Sequence, residues 1–122
     1  MNWSFQPDRP IYVQLIERIK LLIVSGAYPA GSRLPSVRDM ASEASVNPNT
    51  LQKALSELER EGLVYTQRTS GRFVTEDENM IKQVKKELAI EQIELVTKKL
   101  IEMGFSKEEM LALIESRIKE MK

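Results

Sequence analysis

The chain has 122 residues, of which 42% are hydrophobic and 30% are charged, and its formal net charge at neutral pH is zero. That length suits one domain, or one small domain with an appendage. The absence of cysteine and histidine excludes disulfides, thiolate metal sites and the commonest general base. The segment Met1–Pro10 lacks the apolar core of a signal peptide, and no apolar run is long enough to span a bilayer. We therefore expect a cytoplasmic protein without a cofactor or a bound metal.

The first predicted helix begins near Pro10 and ends near Ser25. Asp8 is a candidate cap, and the fixed φ of Pro10 suits the first turn of a helix. Gly26 ends the helix, because glycine readily adopts the backbone conformation found just beyond a helix C-terminus. Apolar residues at helical spacing predict its buried face: Ile11, Leu15, Ile19, Leu22 and Ile23.

Two further helix starts lie close together, which is typical of a helix-turn-helix. Ser36 stands three residues before an aspartate and predicts a cap for a short helix over 37–44. After a two-residue turn, Asn47 caps a third helix that continues to about residue 61, with Pro48 in its first position. The buried stripe of this third helix is predicted to consist of Leu51, Ala54, Leu55 and Leu58.

A β-hairpin is predicted directly after the third helix. The runs Leu63–Gln67 and Arg72–Thr75 are rich in β-branched and aromatic residues, which favours strands. Between them lies a four-residue loop that ends at Gly71, and glycine permits the positive φ that such loops require. The segment 32–34 is expected to add a short strand. These elements predict an α+β, mostly helical fold, with a winged helix-turn-helix DNA-binding domain over residues 1–75.

The remaining residues predict a polar hinge at 76–79 and a two-helix segment over 80–122. The apolar residues of the long first helix fall on two faces, which indicates two separate contacts. Ser106 and Glu109 form a capping box for the last helix. This helix is expected to bury Met110, Leu111, Ile114, Ile118 and Met121. A monomer would leave apolar stripes exposed, so we expect the segment to serve dimerisation.

The polar half of the third helix is the main candidate for contact with a ligand. Asn49, Thr50, Gln52 and Lys53 lie off the buried stripe, near the N-terminus of the helix. Their amide, hydroxyl and ammonium groups suit base edges in the DNA major groove, and a helix N-terminus favours phosphate. A solvated helix face is the alternative explanation, but the preceding turn and the following hairpin favour DNA.

The arginines supply the second group of candidates. Seven of the eight arginines precede residue 76, although a net charge of zero argues weakly against a DNA partner. Arg38 opens the second helix beside Ser36, where a phosphate is expected to lie, and Arg33 is a weaker candidate of the same kind. The hairpin tip is suited to phosphate or minor-groove contact through Arg68, Ser70, Gly71 and Arg72.

These residues resemble the N-terminal domain of the GntR superfamily of bacterial transcription regulators. The similarity covers about residues 10–75. The matching residues are Pro10, Ile11, Tyr12, Gln14, Gly31, Leu34, Pro35, Ser36, Arg38, Val46, Asn47, Thr50, Ala54, Leu55, Leu58, Gly62, Leu63, Gly71, Phe73 and Val74. The resemblance implies DNA contacts by Arg38, Asn49, Thr50, Gln52, Ser70 and Gly71, and less firmly by Arg33, Pro48 and Lys53. Some relatives have arginine in place of Pro48 and Gln52, which implies a different operator here.

The short C-terminal segment is similar to that of the YtrA-type branch, in which two helices serve dimerisation. This resemblance implies a repressor of its own or a neighbouring operon, often one for a membrane transporter. We expect a homodimer that places two copies of the third helix in successive major grooves of an inverted repeat, about 34 Å apart. The alternatives are a protein–protein interaction module without sequence-specific DNA binding and, less plausibly without histidine or cysteine, a small enzyme. No residue could be assigned to an effector.

Overall fold

The computed structural model describes residues 3–122, which form two compact units, one ending at Lys85 and the other covering Lys86–Lys122. The elements in chain order are α1 (Ile11–Val24), α2 (Val37–Ala44), α3 (Pro48–Arg60), β1 (Val64–Gln67), β2 (Gly71–Val74), α4 (Glu78–Glu102) and α5 (Lys107–Glu120). The fold is therefore mostly helical with one small sheet, as the sequence predicts.

The core of the first unit is built by the apolar stripes of its helices. All four residues predicted for the stripe of α3 are buried, from Leu51 to Leu58. The predicted face of α1 is buried except for Ile11, which is 38% exposed. Gln14 lies on the buried side of α1 instead, and its amide binds the preceding segment: Nε2 donates to the carbonyls of Gln6 and Arg9 at 2.9 and 2.8 Å.

The start of α1 differs from the prediction. Pro10 is the residue before the helix, and no side chain caps its first turn, so the capping role predicted for Asp8 is wrong. The backbone N–H of Gln6 donates to Oε1 of Gln14 at 2.7 Å. Gln14 thus fixes the preceding segment from within the helix, because its amide both donates to and accepts from backbone groups.

The helix-turn-helix forms through local hydrogen bonds that the sequence predicts. The Ser36 hydroxyl accepts from the backbone N–H of Asp39 at 3.1 Å, which caps α2. Between α2 and α3, Ser45 adopts a left-handed conformation with φ 56°. The Asn47 side chain accepts from the backbone N–H of Asn49 at 2.8 Å and caps α3. These caps fix where each helix begins, and so which α3 side chains face outward.

The wing is an antiparallel pair in which Val64 lies opposite Val74 and Gln67 opposite Gly71. Each strand begins one residue away from its predicted start, and the tip is the three residues 68–70. The predicted extra strand is a single bridge between Arg33 and Phe73. It belongs to the wing because the N–H of Leu34 donates to the carbonyl of Arg72 at 2.8 Å.

The segment predicted as a hinge, residues 76–79, already contains the start of α4. The Asp77 carboxylate accepts from the backbone N–H groups of Asn79 and Met80, both at 3.1 Å, and so caps the helix. Met80, Ile81 and Val84 then pack against the core. For this reason the first unit extends to Lys85 and not only to Thr75.

The second unit contains the rest of α4 together with α5. The predicted capping box is present: the N–H of Glu109 donates to the Ser106 hydroxyl at 3.1 Å, and the N–H of Ser106 donates to the Glu109 carboxylate at 2.9 Å. Of the five residues predicted to be buried, only Met110 is buried in the single chain, and burial of the others against a second copy stays a prediction. The apolar side chains left exposed are Leu111, Ile114, Ile118 and Met121. Within residues 3–122, no helix has the length and apolar character needed to cross a membrane.

Candidate nucleic-acid interface

The polar half of α3 is the centre of the candidate interface. Asn49, Gln52 and Lys53 are exposed, and Thr50 is half-buried. Pro48, at the first helical position, is also exposed. The opposite face of the helix is buried in the core through its leucines. The sequence-predicted residues of this helix therefore come together on one solvent-facing surface.

The start of α2 supplies the next candidates. Ser36 is exposed, and its hydroxyl is already used as the cap. Arg38 is exposed in the first turn of α2, where its cation lies near the helix N-terminus. A cation is electrostatically unfavourable at that end of a helix in isolation, because the helix dipole places positive charge there. A bound phosphate would offset both charges at once.

The wing tip presents backbone and cations together. Gly71 has φ +104°, a conformation that residues with a side chain rarely adopt. The Arg33 guanidinium lies against it, with Nε 3.4 Å from where a Gly71 Cβ would stand. Arg68 is exposed at the tip, and Ser70 is half-buried with its N–H donating to the carbonyl of Gln67 at 3.1 Å. The structure thus places Arg33 beside the wing. The sequence predicted Arg33 only as a weaker candidate for phosphate contact and did not predict this position.

Arg72 is directed towards α3 and away from the wing tip. Its side chain is 18% exposed, and its Nη1 donates to Oε1 of Gln52 at 3.3 Å. Its Nε lies 3.6 Å from a carboxylate oxygen of Glu59, which also accepts from the Thr66 hydroxyl at 2.6 Å. The guanidinium therefore joins the wing to the exposed face of α3.

Glu59 and Thr66 were missed by sequence reasoning, although two signals could have found them. Thr66 and Arg72 are cross-strand partners and so lie on the same face of the hairpin. Glu59 follows Gln52 by seven residues, which is two helical turns along one face of α3. Glu59, Thr66 and Arg72 line an open groove of about 440 Å³, and Ser56 and Arg60 of α3 complete its lining.

Farther along α3, the charges are paired within the helix. The Arg60 guanidinium binds Glu57, and this hydrogen bond holds the pKa of the Glu57 carboxyl below its ordinary value. The cations on the N-terminal half of the surface, Arg38 and Lys53, form no salt bridge within residues 3–122. In the same range, no cluster of three or more acidic side chains is placed to hold a metal ion.

A three-helix unit with a helix-turn-helix and a two-stranded wing defines a winged helix-turn-helix protein. Residues 11–74 match the family described as bacterial regulatory proteins, gntR family. The chain belongs to this family, and it is therefore a transcription regulator with a helix-turn-helix DNA-binding domain and not an enzyme.

Two curated relatives place the chain within the family. It is 41% identical to the HTH-type transcriptional regulator YhcF of Bacillus subtilis (strain 168), over 91% of this chain and 92% of the relative. It is also 41% identical to the HTH-type transcriptional repressor YtrA of the same organism, over 67% of this chain and 70% of YtrA. These similarities support the YtrA-type branch.

Solved structures agree with this placement. A GntR family transcriptional regulator from Listeria monocytogenes has a TM-score of 0.86 at 37% identity, over 92% of this chain and 98% of that one. The DNA-binding domain of AraR, solved in complex with operator ORX1, has a TM-score of 0.55 at 27% identity. That match covers 59% of this chain and 93% of the AraR chain.

Proposed function

We propose that the protein is a homodimeric repressor that binds an inverted-repeat operator before its own or a neighbouring operon, of the kind that encodes a transporter. The observation that carries this proposal is the polar face of α3, exposed between the start of α2 and the wing. The relative AraR, whose domain is in complex with its operator, supports the same use of this fold. Since the target is chromosomal DNA, we place the protein in the cytoplasm.

The α3 face enters the major groove in this proposal. Asn49, Thr50, Gln52 and Lys53 meet base edges, and Pro48 packs beside the sugar–phosphate backbone. Amides can bind adenine through two hydrogen bonds, and lysine donates to guanine O6 and N7. The groove admits one α-helix, which fits a helix whose other face is buried.

The flanking elements set the register of α3 on the duplex. The first turn of α2, with Ser36 and Arg38, lies beside a phosphate. Arg33, Arg68 and the backbone at Ser70 and Gly71 bind phosphate or the adjacent minor groove from the wing. Contacts of this kind position a protein on DNA and make binding strongly dependent on salt, but they carry little sequence information. Arg72 belongs to the same surface through its contact with Gln52.

The second unit pairs two such surfaces. Exposed apolar side chains continue along α4 and α5, including Ile93, Ile101, Leu111 and Ile118 at 56–70% exposure. Burying them against a second copy removes apolar area from water, at about 25 cal/mol per Å². A symmetric dimer would set two α3 helices about 34 Å apart, one turn of the duplex. Occupation of the operator would then exclude RNA polymerase.

A mobility-shift assay on DNA upstream of this protein's own gene, at increasing salt, tests the proposal. We expect preference for one fragment over random DNA of equal length, and an affinity that falls steeply with salt. Arg38→Ala should weaken binding and reduce the salt slope by about one. The matched control Arg117→Ala, outside the winged unit, should leave the slope unchanged.

Base recognition needs its own variant. Asn49→Ala should relax preference at one base pair of each half-site, at about 1–3 kcal/mol, while non-specific affinity is kept. Equal binding of the wild type to every fragment would contradict the proposal. In that case the interaction-module alternative would gain support, provided that Arg38→Ala leaves partner binding intact.

A further inference from the structure

The contact chain from the wing to α3 consists of Thr66, Glu59, Arg72 and Gln52. Thr66 fixes the Glu59 carboxylate through a 2.6 Å hydrogen bond, and that carboxylate lies 3.6 Å from Nε of Arg72. This Nε is buried and has no hydrogen-bond partner within residues 3–122. The adjacent carboxylate therefore offsets the burial of the guanidinium, and it holds the Arg72 side chain between β2 and α3.

Because of this placement, the charge of Arg72 is balanced by a neighbouring carboxylate, unlike the charges of Arg38 and Arg68. A guanidinium beside a carboxylate forms a pair with no net charge, whereas the other two arginines are exposed and form no salt bridge in the described part of the chain. The affinity for phosphate depends on net positive charge at the surface, because each neutralised phosphate releases counterions. Arg72 therefore contributes little to the salt-dependent part of binding.

What Arg72 does determine is the orientation of the Gln52 amide. A guanidinium has only donors, so the group of Gln52 that faces it must be the carbonyl oxygen. The 3.3 Å hydrogen bond from Nη1 to Oε1 accordingly directs the Nε2 amide group away from Arg72. Without this contact, the two amide orientations of a solvent-exposed glutamine differ little in energy.

We propose that Arg72 is a positioning residue that sets the base preference of Gln52, an inference that rests on the proposed function. With Oε1 directed at Arg72, the carbonyl oxygen and the amide nitrogen cannot both point at one base, and the groups directed away from the wing are the two Nε2 donors. Adenine recognition by glutamine uses the carbonyl oxygen as well, to accept from N6. The held amide instead favours a base that presents acceptors in the major groove, namely guanine through N7 and O6 or thymine through O4.

The test begins with selection of preferred sites from a random duplex library by the wild-type protein. Affinities are then measured for all four base pairs at the position whose preference Gln52→Ala abolishes. We expect the wild type to prefer guanine or thymine there, by about fivefold to 100-fold. Arg72→Ala should lose most of this preference, and the double variant should be no worse than Gln52→Ala alone.

The following variants separate a positioning role of Arg72 from a direct contact with phosphate. Arg68→Ala should weaken all sites equally and reduce the salt slope by about one, while Arg72→Ala combined with Glu59→Gln, which removes both charges of the pair, should leave the slope unchanged. Glu59→Gln removes the charge that holds Arg72 and should lower the preference without lowering affinity for random DNA. This variant keeps the test valid if Arg72→Ala fails to fold, as judged by its thermal unfolding.

The inference is overturned if Arg72→Ala weakens all four base pairs equally and its combination with Glu59→Gln flattens the salt slope, since Arg72 would then bind phosphate. Additive effects of Gln52→Ala and Arg72→Ala, or a preference for adenine in the wild type, would overturn it as well. If the wild type selects no site at all, the proposed function fails first, and this inference fails with it.

Discussion

The two units of the chain differ in how far their apolar side chains are buried. In the first unit, Leu15, Leu51 and Leu58 are completely buried. Among residues 86–122, Met110 alone is buried, while Leu111 and Met103 are each 70% exposed. The first unit therefore has its own core, whereas the second has apolar surface without a partner in the same chain. The exposed apolar surface of the second unit is what the proposed pairing of two chains would bury.

The largest expected effect is on pairing. Ile118→Glu should weaken dimerisation by about 3–6 kcal/mol, because each of two symmetric copies loses the stabilisation of about 1.5–3 kcal/mol that burial of the side chain gives. Sedimentation equilibrium over a range of protein concentrations measures this change. The matched control is Leu21→Glu, at an exposed leucine of the first unit, which should leave the dimer intact. A wild type that stays monomeric would contradict the pairing role.

The next effect concerns the core of the first unit. Leu55→Ala should reduce the free energy of unfolding by about 2–5 kcal/mol, because the side chain is 1% exposed and its removal leaves a cavity. Leu21→Ala removes the same atoms from a side chain that is 47% exposed, so a much smaller loss is expected. Urea unfolding followed by circular dichroism compares the two. Equal losses of unfolding free energy for the two variants would show that Leu55 does not lie in a closely packed core.

A smaller effect is expected at the wing tip. Gly71→Ala should cost about 1–2 kcal/mol of wing stability from its φ of +104°. The added methyl group would also stand 3.4 Å from Nε of Arg33, in van der Waals contact, and so cover part of the wing surface beside that guanidinium. Gly26→Ala is the control, because its φ is +87° but no atom lies within 4 Å of the added Cβ. We expect both variants to lose stability in thermal unfolding, and only Gly71→Ala to lose affinity for operator DNA as well.

Many of these features follow from the sequence because they depend on local chemistry. Ser36, Asn47 and Ser106 act as caps, as predicted, since a cap needs only a side chain and the next backbone amides. The stripe of α3 is buried as predicted because helical periodicity alone defines it. Local signals were sufficient wherever the partner atoms lay within a few residues.

The missed features depend on contacts between distant residues. Arg72 reaches Gln52 across twenty positions, and nothing in the wing sequence alone indicates that direction. Gln14 is one of the residues that match the GntR superfamily, but its hydrogen bonds to the backbone of Gln6 and Arg9 do not follow from the apolar pattern of α1. Leu111 and Ile118 are exposed in the single chain, and periodicity shows only that their face of α5 is apolar, not which molecule covers it.

The smallest effect is a pH dependence in the second unit. Hydrogen bonds from the backbone and side chain of Ser106 hold the pKa of the Glu109 carboxyl below its ordinary value of 4.5. Glu109 therefore stabilises α5 above its unfolded-state pKa, and this contribution is lost as the pH falls through the lower folded-state pKa. Below about pH 5, the α5 helicity of the wild type should decline more than that of Glu109→Gln, which keeps an acceptor but does not titrate. Far-ultraviolet circular dichroism measures the difference, and Glu108→Gln should behave as the wild type does.

The central proposal is that the first unit binds DNA and the second unit pairs two chains. The mass of the protein bound to one operator duplex tests it most directly. Native mass spectrometry of the selected site with excess protein gives the number of chains per duplex. Two chains are expected on a site with two half-sites, and weak binding of one chain is expected for Ile118→Glu. A wild-type complex with one chain per duplex at full affinity would contradict this proposal.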